Sequence, residues 1–132
     1  MATLFSRIAR GEIPSYKIAE SEKYYAFLDI YPLVMGHVLV IPKEETDYLF
    51  DLSDNELSGI MIFAKTVAEA LKITYPKSRV GMAVVGFDVP HAHIHLIPMD
   101  SIKDINFNRT RLQFTHEEFQ FIAERIARNM NN

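Results

Sequence analysis

The sequence predicts an α+β fold: an antiparallel five-stranded sheet with a long central helix and a C-terminal helix. Two observations carry that expectation. Five short runs rich in β-branched and aromatic residues are separated by turn residues. Two capping-box patterns, Ser53-Asp54-Asn55-Glu56 and Thr115-His116-Glu117-Glu118, each open an apolar stretch at helical spacing.

The elements follow in order. Leu4, Phe5 and Ile8 share a helical face, and Gly11 then Pro14 stop that helix. Tyr16 to Ala19 and Tyr24 to Leu28 read as strands joined by the turn Ser21-Glu22-Lys23. Asp29 to Gly36 is a loop, and His37 to Ile41 a third strand closed by Pro42. After Ser53, the residues Leu57, Ile60, Met61, Ala64, Val67, Ala68 and Leu71 recur every three or four positions, giving a helix that ends near Tyr75-Pro76. Val80 to Val85 and Val89 to Pro98 are the last two strands. Asp100 to Phe114 is polar and irregular, and the helix after Thr115 carries Phe119, Ile122, Ala123 and Ile126 on one face. Short turns between the first strands favour antiparallel pairing.

Composition excludes several classes. The 132 residues fit one domain, 1–132, with no repeat, linker or low-complexity tract. A formal net charge of −3 lacks the basic field of a general nucleic-acid binder. No apolar run approaches the roughly 20 residues that span a bilayer, so neither nucleic acid nor membrane is expected as a partner. There is no cysteine, which removes disulfides and thiolate metal sites and fits a reducing, cytoplasmic setting. Arg7 and Arg10 without a nearby acid faintly suggest a targeting peptide, but the segment is short and runs into Glu12-Ile13-Pro14, so it is read as the first helix.

Three of the five histidines stand at 91, 93 and 95. On a strand, alternate side chains share a face. His91, His93 and His95 would then line one side, facing an open cleft, with Ala92, Ile94 and Leu96 turned to the core. Aligned imidazoles are costly to bury without partners. Two chemistries compete. One is a metal site, but His91 and His95 would lie about 13 Å apart along a strand while zinc–nitrogen bonds are about 2 Å, so all three cannot share one ion. A pair would need a third ligand such as His37, Asp88 or Glu45. The other is nucleophilic attack on phosphorus by His93, with its neighbours as orienter and proton donor.

The run Val89 to Pro98 resembles the signature of the histidine triad family of nucleotide-binding proteins, in its small Hint-like branch. Phe5 to Pro14 resembles the family's opening helix and its EIP turn; Ala26 to Ile30 and Gly36 to Lys43 resemble its next two blocks. The resemblance implies a homodimer with joined sheets that binds a purine nucleotide. It implies cleavage of nucleoside phosphoramidates or related nucleoside monophosphate conjugates, with no cofactor and no metal. It makes His93 the nucleophile that becomes nucleotidylated and His91 and His95 its flanking members. Asp29 matches the ribose-binding acid, Leu4, Phe5, Ile8, Phe27 and Ile30 match the apolar base-pocket lining, and His37 matches a histidine near the triad.

The chain departs from that pattern just before the triad. Phe87 stands where the family has a glutamine, Asp88 follows, and nothing in Met82 to Val85 supplies the usual asparagine. Phe87 donates no hydrogen bond and an ionised Asp88 repels phosphate. The backbone N–H groups of Asp88 and Val89 remain as phosphate donors. Glu45 occupies the place of a histidine after the IPK motif. Alternatives are therefore a nucleotide-sensing or partner-binding module with little catalysis, and, less favoured without the glutamine, a dinucleoside polyphosphate hydrolase. Arg109 and Arg111 are expected to be solvated or paired with surface acids rather than bound to phosphate.

Overall fold

The computed structural model describes residues 2–130. Met1, where the opening segment begins, and Asn131 and Asn132, where the span 1–132 ends, lie outside the described residues.

The chain runs α1 (Leu4–Ala9), β1 (Lys17–Glu20), β2 (Tyr24–Leu28), β3 (Val38–Pro42), α2 (Asp54–Thr74), β4 (Arg79–Ala83), β5 (Ile94–Met99) and α3 (His116–Arg128), with 3-10 turns at Leu49–Asp51 and Ile102–Asp104. The sheet order is β1-β2-β3-β5-β4 and every pairing is antiparallel. This is the expected α+β architecture.

Local chemistry fixes the element ends. Thr3, Ser53 and Thr115 are N-caps whose hydroxyls accept a backbone N–H in the first turn. Gly11, at φ 79, ends α1 as a Schellman motif, with Glu12 N–H on Arg7 C=O and Gly11 N–H on Ile8 C=O. Gly36 needs its missing Cβ for both reasons: φ is 89, and a Cβ there would lie 2.6 Å from the Tyr75 ring.

The sheet is buried on both faces. One packs against α2 and α3 and contributes Ala26, Leu28, Val38, Val40, Ile94 and Leu96 to an apolar core with Ile60, Val67, Leu71, Ile122 and Ile126. The other carries Tyr25, Phe27, Leu39 and Ile41, covered by Phe5 and Ile8 of α1. β5 supplies residues to both, because alternate side chains diverge. Ile94 and Leu96 enter the first core, while His95 pairs with Leu39 across the ladder.

Two expectations are corrected. The last strand begins at Ile94, not Val89. His91 N–H turns back to Val89 C=O, and Ala92 N–H goes to Thr46 C=O instead of a strand partner. The fourth strand ends at Ala83 rather than Val85, since pairing with β5 stops at Ala83↔His95.

Candidate active site

The three histidines approach one another at the start of β5, on the face covered by α1. Their side chains do not face an open cleft as expected: His91, His93 and His95 are 0%, 1% and 4% exposed, and His37 is 0% exposed. Burial of four imidazoles is tolerable because almost every ring nitrogen has a partner. Those partners also dictate where each proton sits, since a backbone C=O can only accept and a backbone N–H can only donate.

His91 Nε2 is 2.7 Å from Pro42 C=O, so Nε2 carries the proton and donates it. Its Nδ1 then accepts the Thr3 hydroxyl at 2.6 Å. His93 Nδ1 donates to the backbone carbonyl of His91 at 2.7 Å, leaving the lone pair on Nε2. His37 Nδ1 accepts Leu33 N–H at 3.0 Å, so its proton is on Nε2 and is donated to His95 Nδ1 at 2.9 Å. His95 is thereby left with its own proton on Nε2. Burial pushes His37 down to about 3 and His95 down to about 4, aided for His37 by His95 and for His95 by His93. Burial also lowers His91, against the partly opposing pull of Pro42 C=O. All three are neutral at physiological pH.

Among the described residues, two ring nitrogens of these four histidines have no hydrogen bond, His95 Nε2 and His93 Nε2, and the second is buried. Asp88 Oδ1 lies 3.2 Å from it but is not aligned for one, and the Asp88 side chain is 71% exposed. The His93 and His95 rings stand 5.1 Å apart, and Phe5 meets His93 edge-on at 5.0 Å.

The remaining expected residues fall into place unevenly. Asp29, at the end of β2, is largely buried; its Oδ1 accepts Tyr31 N–H at 2.8 Å and its Oδ2 is 3.6 Å from His37 Nε2. Burial raises its carboxyl above the usual range. Phe5, Ile8 and Phe27 share the apolar cluster beside the histidines, with Val89 packed on its edge. Leu4 and Ile30 stand outside it, about half-exposed. Phe87 is almost wholly exposed and contributes nothing to the enclosure.

Three participants had no individual signal in the sequence. Two are the ordinary polar residues Thr3 and Ser6: Thr3 bonds to His91, and Ser6 braces Thr3 together with Glu45, the residue already marked by its place after the IPK motif. Phe107 packs edge-on to His95 at 4.8 Å. Arg109 pairs with Asp104 as expected, but among the described residues Arg111 does not pair with a surface acid. Its guanidinium donates to Tyr31 C=O at 2.6 Å and lies over the Phe107 ring. It also acts electrostatically on Asp29, His37 and His95.

Asp29, His37 and His95 place one ligand atom each within 4.8 Å of one another, a spacing open to a metal ion. The hydrogen bonds oppose it. Leu33 N–H occupies the His37 Nδ1 lone pair, so the nitrogen facing the cluster holds a proton rather than a free pair. As hydrogen-bonded here, this trio does not fit a metal.

Histidines at 91, 93 and 95 with a buried imidazole nitrogen left without a hydrogen bond, where β5 begins in an antiparallel sheet, are the architecture of a defined class. Residues 10–102 match the HIT domain model, and the chain belongs to that family. It is 42% identical over 98 residues to adenosine 5'-monophosphoramidase HNT1 of Saccharomyces cerevisiae, covering 74% of this chain but only 62% of that protein. It is 36% identical to an uncharacterised HIT-like protein of Mycoplasma genitalium, covering 92% of each. Among solved structures, a Hit-like protein involved in cell-cycle regulation from Bartonella henselae superposes with a TM-score of 0.82 at 26% identity, over 97% of this chain and 96% of that one. A Zn-bound histidine triad family protein from Mycobacterium smegmatis gives 0.79 at 26% identity, over 97% and 95%.

Proposed function

We propose that the protein is a nucleotidyl hydrolase or transferase that cleaves nucleoside phosphoramidates, or related nucleoside monophosphate conjugates, through a nucleotidyl-His93 intermediate. The observation that carries this reading is the buried, unpartnered Nε2 of His93, whose lone pair is set by the bond from Nδ1 to His91 C=O. The phosphoramidase names of the yeast relatives support the substrate class.

In the first step Nε2 attacks phosphorus, the bond from phosphorus to the leaving amine breaks, and the amine takes a proton from water. His95 Nε2–H is a donor for the charge developing on the phosphoryl oxygens. In the second step water attacks phosphorus and passes its proton to the hydroxide left by the first step, the bond to Nε2 breaks, and the mononucleotide departs as His93 recovers its lone pair. Asp29 accepts the ribose hydroxyls, and Phe5, Ile8 and Phe27 offer the base an apolar wall. Adenosine 5'-phosphoramidate is the test substrate: AMP is released by wild type, and equal release by His93→Ala would end this reading.

A second reading is a nucleotide-binding sensor with slow chemistry. The Asp88 carboxylate beside the nucleophilic nitrogen favours it, because that charge competes with phosphate. Calorimetric binding of AMP without turnover of any phosphoramidate would select it over the first.

We further propose one domain over 1–132 acting as a cytoplasmic homodimer. Among the described residues no helix is long and apolar enough to cross a membrane. β4 is a sheet edge, and Met82, Val84 and Val85 at or just beyond it are exposed. An open apolar edge of this kind pairs readily with a second copy. Sedimentation at a mass of one chain would rule the dimer out.

A further inference from the structure

Thr3 touches the histidine site from 88 residues away in sequence. Its hydroxyl oxygen accepts Ser6 N–H at 3.0 Å, which makes it the N-cap of α1. The same group has one proton to give. Its oxygen lies 2.6 Å from His91 Nδ1, on a ring whose Nε2–H is already committed to Pro42 C=O. The His91 imidazole is therefore clamped at both nitrogens, and its own backbone carbonyl takes the Nδ1–H of His93. Glu45 in turn fixes Thr3. Its Oε1 accepts Thr3 N–H at 3.2 Å and the Ser6 hydroxyl, with Arg10 at 3.9 Å. Phe5, two residues along the same helix, packs against both His91 and His93.

We propose that Thr3, held by Glu45, is a positioning residue for the nucleophile: its hydroxyl selects the His91 tautomer and so steadies the carbonyl that aims His93. The chain of contacts is Glu45 to Thr3, Thr3 to the His91 ring, and His91 C=O to His93 Nδ1. An N-cap alone has weaker demands, since Ser, Thr, Asp and Asn all cap well. Positioning requires an O–H donor as well. Thr and Ser supply one; an ionised Asp does not. The kinetic arm of this inference rests on His93 being the nucleophile, while the spectroscopic arm does not.

Three variants separate the roles. Thr3→Ser keeps cap and donor, Thr3→Asp keeps the cap but has no proton to give, and Thr3→Val loses both. Each is measured for kcat and KM on adenosine 5'-phosphoramidate, for thermal midpoint, and by nitrogen-15 spectra of the histidine rings. Wild type is expected to show His91 protonated at Nε2 alone. Thr3→Ser should restore both kcat and that ring signature. Thr3→Asp and Thr3→Val should lose about tenfold in kcat, with KM changed by less than about twofold, as expected when only orientation in the transition state is lost. Thr3→Asp should also show His91 protonated at both nitrogens. The proposal is overturned by wild-type His91 protonated at Nδ1, or by folded Thr3→Asp and Thr3→Val with unchanged kcat. If wild type itself releases no AMP, the proposed function has failed, and the ring spectrum alone decides the positioning.

Discussion

The two faces of the sheet are buried to a similar depth but by different means. Against α2 and α3, the core is aliphatic, and Ile60, Val67, Leu71, Ile94 and Ile126 are excluded from solvent without a polar atom to satisfy. Under the short α1, the buried residues include four imidazoles whose nitrogens are nearly all committed to named partners. The first face stabilises through area and packing and tolerates any well-fitting apolar side chain. The second specifies proton positions, and two ring nitrogens, Nε2 of His93 and Nε2–H of His95, are left over. The buried one, on His93, is where the proposed chemistry is placed.

Substitutions should therefore separate the faces. The largest effect is expected from His93→Ala, which should reduce AMP release by about 10³-fold or more while leaving the fold intact, as for loss of an essential nucleophile; steady-state turnover and circular dichroism report the two quantities. On the opposite face, Leu71→Ala should lower unfolding free energy by about 2–5 kcal/mol, with kcat per folded molecule unchanged. Denaturant titration alongside active-site normalised turnover checks it. A fall in kcat without a stability loss would merge the two faces again.

His37→Ala tests the histidine face itself. It strands the buried Nδ1 of His95 without its donor, which costs about 1–3 kcal/mol and frees the His95 tautomer. Turnover should fall about tenfold, by the same free-energy scale. Acid offers a graded version. His37 and His95 sit at about 3 and about 4 when folded, below the ordinary value of 6.5. Between those values the unfolded chain binds more protons than the folded one, so stability is full above about pH 6.5 and declines as pH falls towards 4. The slope is at most about 1.4 kcal/mol per pH unit for each ring. Unfolding curves at pH 7 and pH 5 should show that loss, and His37→Gln should flatten it. Smallest of all is Asp88→Asn. Removing an exposed charge 3.2 Å from His93 Nε2, where the proposed mechanism puts phosphorus, should raise kcat/KM by about threefold at low salt, and by less in high salt. Matched assays at two ionic strengths measure it.

The element order and the polarity of each helix face were legible from the sequence, because capping boxes and 3.6-residue spacing are local signals. The strand ends were not. Alternation from Val89 to Pro98 looks continuous, yet Ala92 N–H is claimed by Thr46, a partner that only the fold supplies. The site divides the same way. His91, His93 and His95 stood out by their spacing, and Ala92, Ile94 and Leu96 turned to the core as alternation required. Their burial did not follow from spacing, since it depends on α1 and on Phe107 reaching across them. Thr3, Glu45 and Arg111 are common residue types, and their relation to the triad exists only in three dimensions.

The account turns on His93 Nε2, and one measurement addresses it directly. Wild-type protein mixed with adenosine 5'-phosphoramidate, quenched in milliseconds and digested, should yield a peptide spanning 91–95 heavier by one adenylyl group, with the modification on His93. Turnover with the adduct on another residue, or with His93→Ala forming the same adduct, would contradict it.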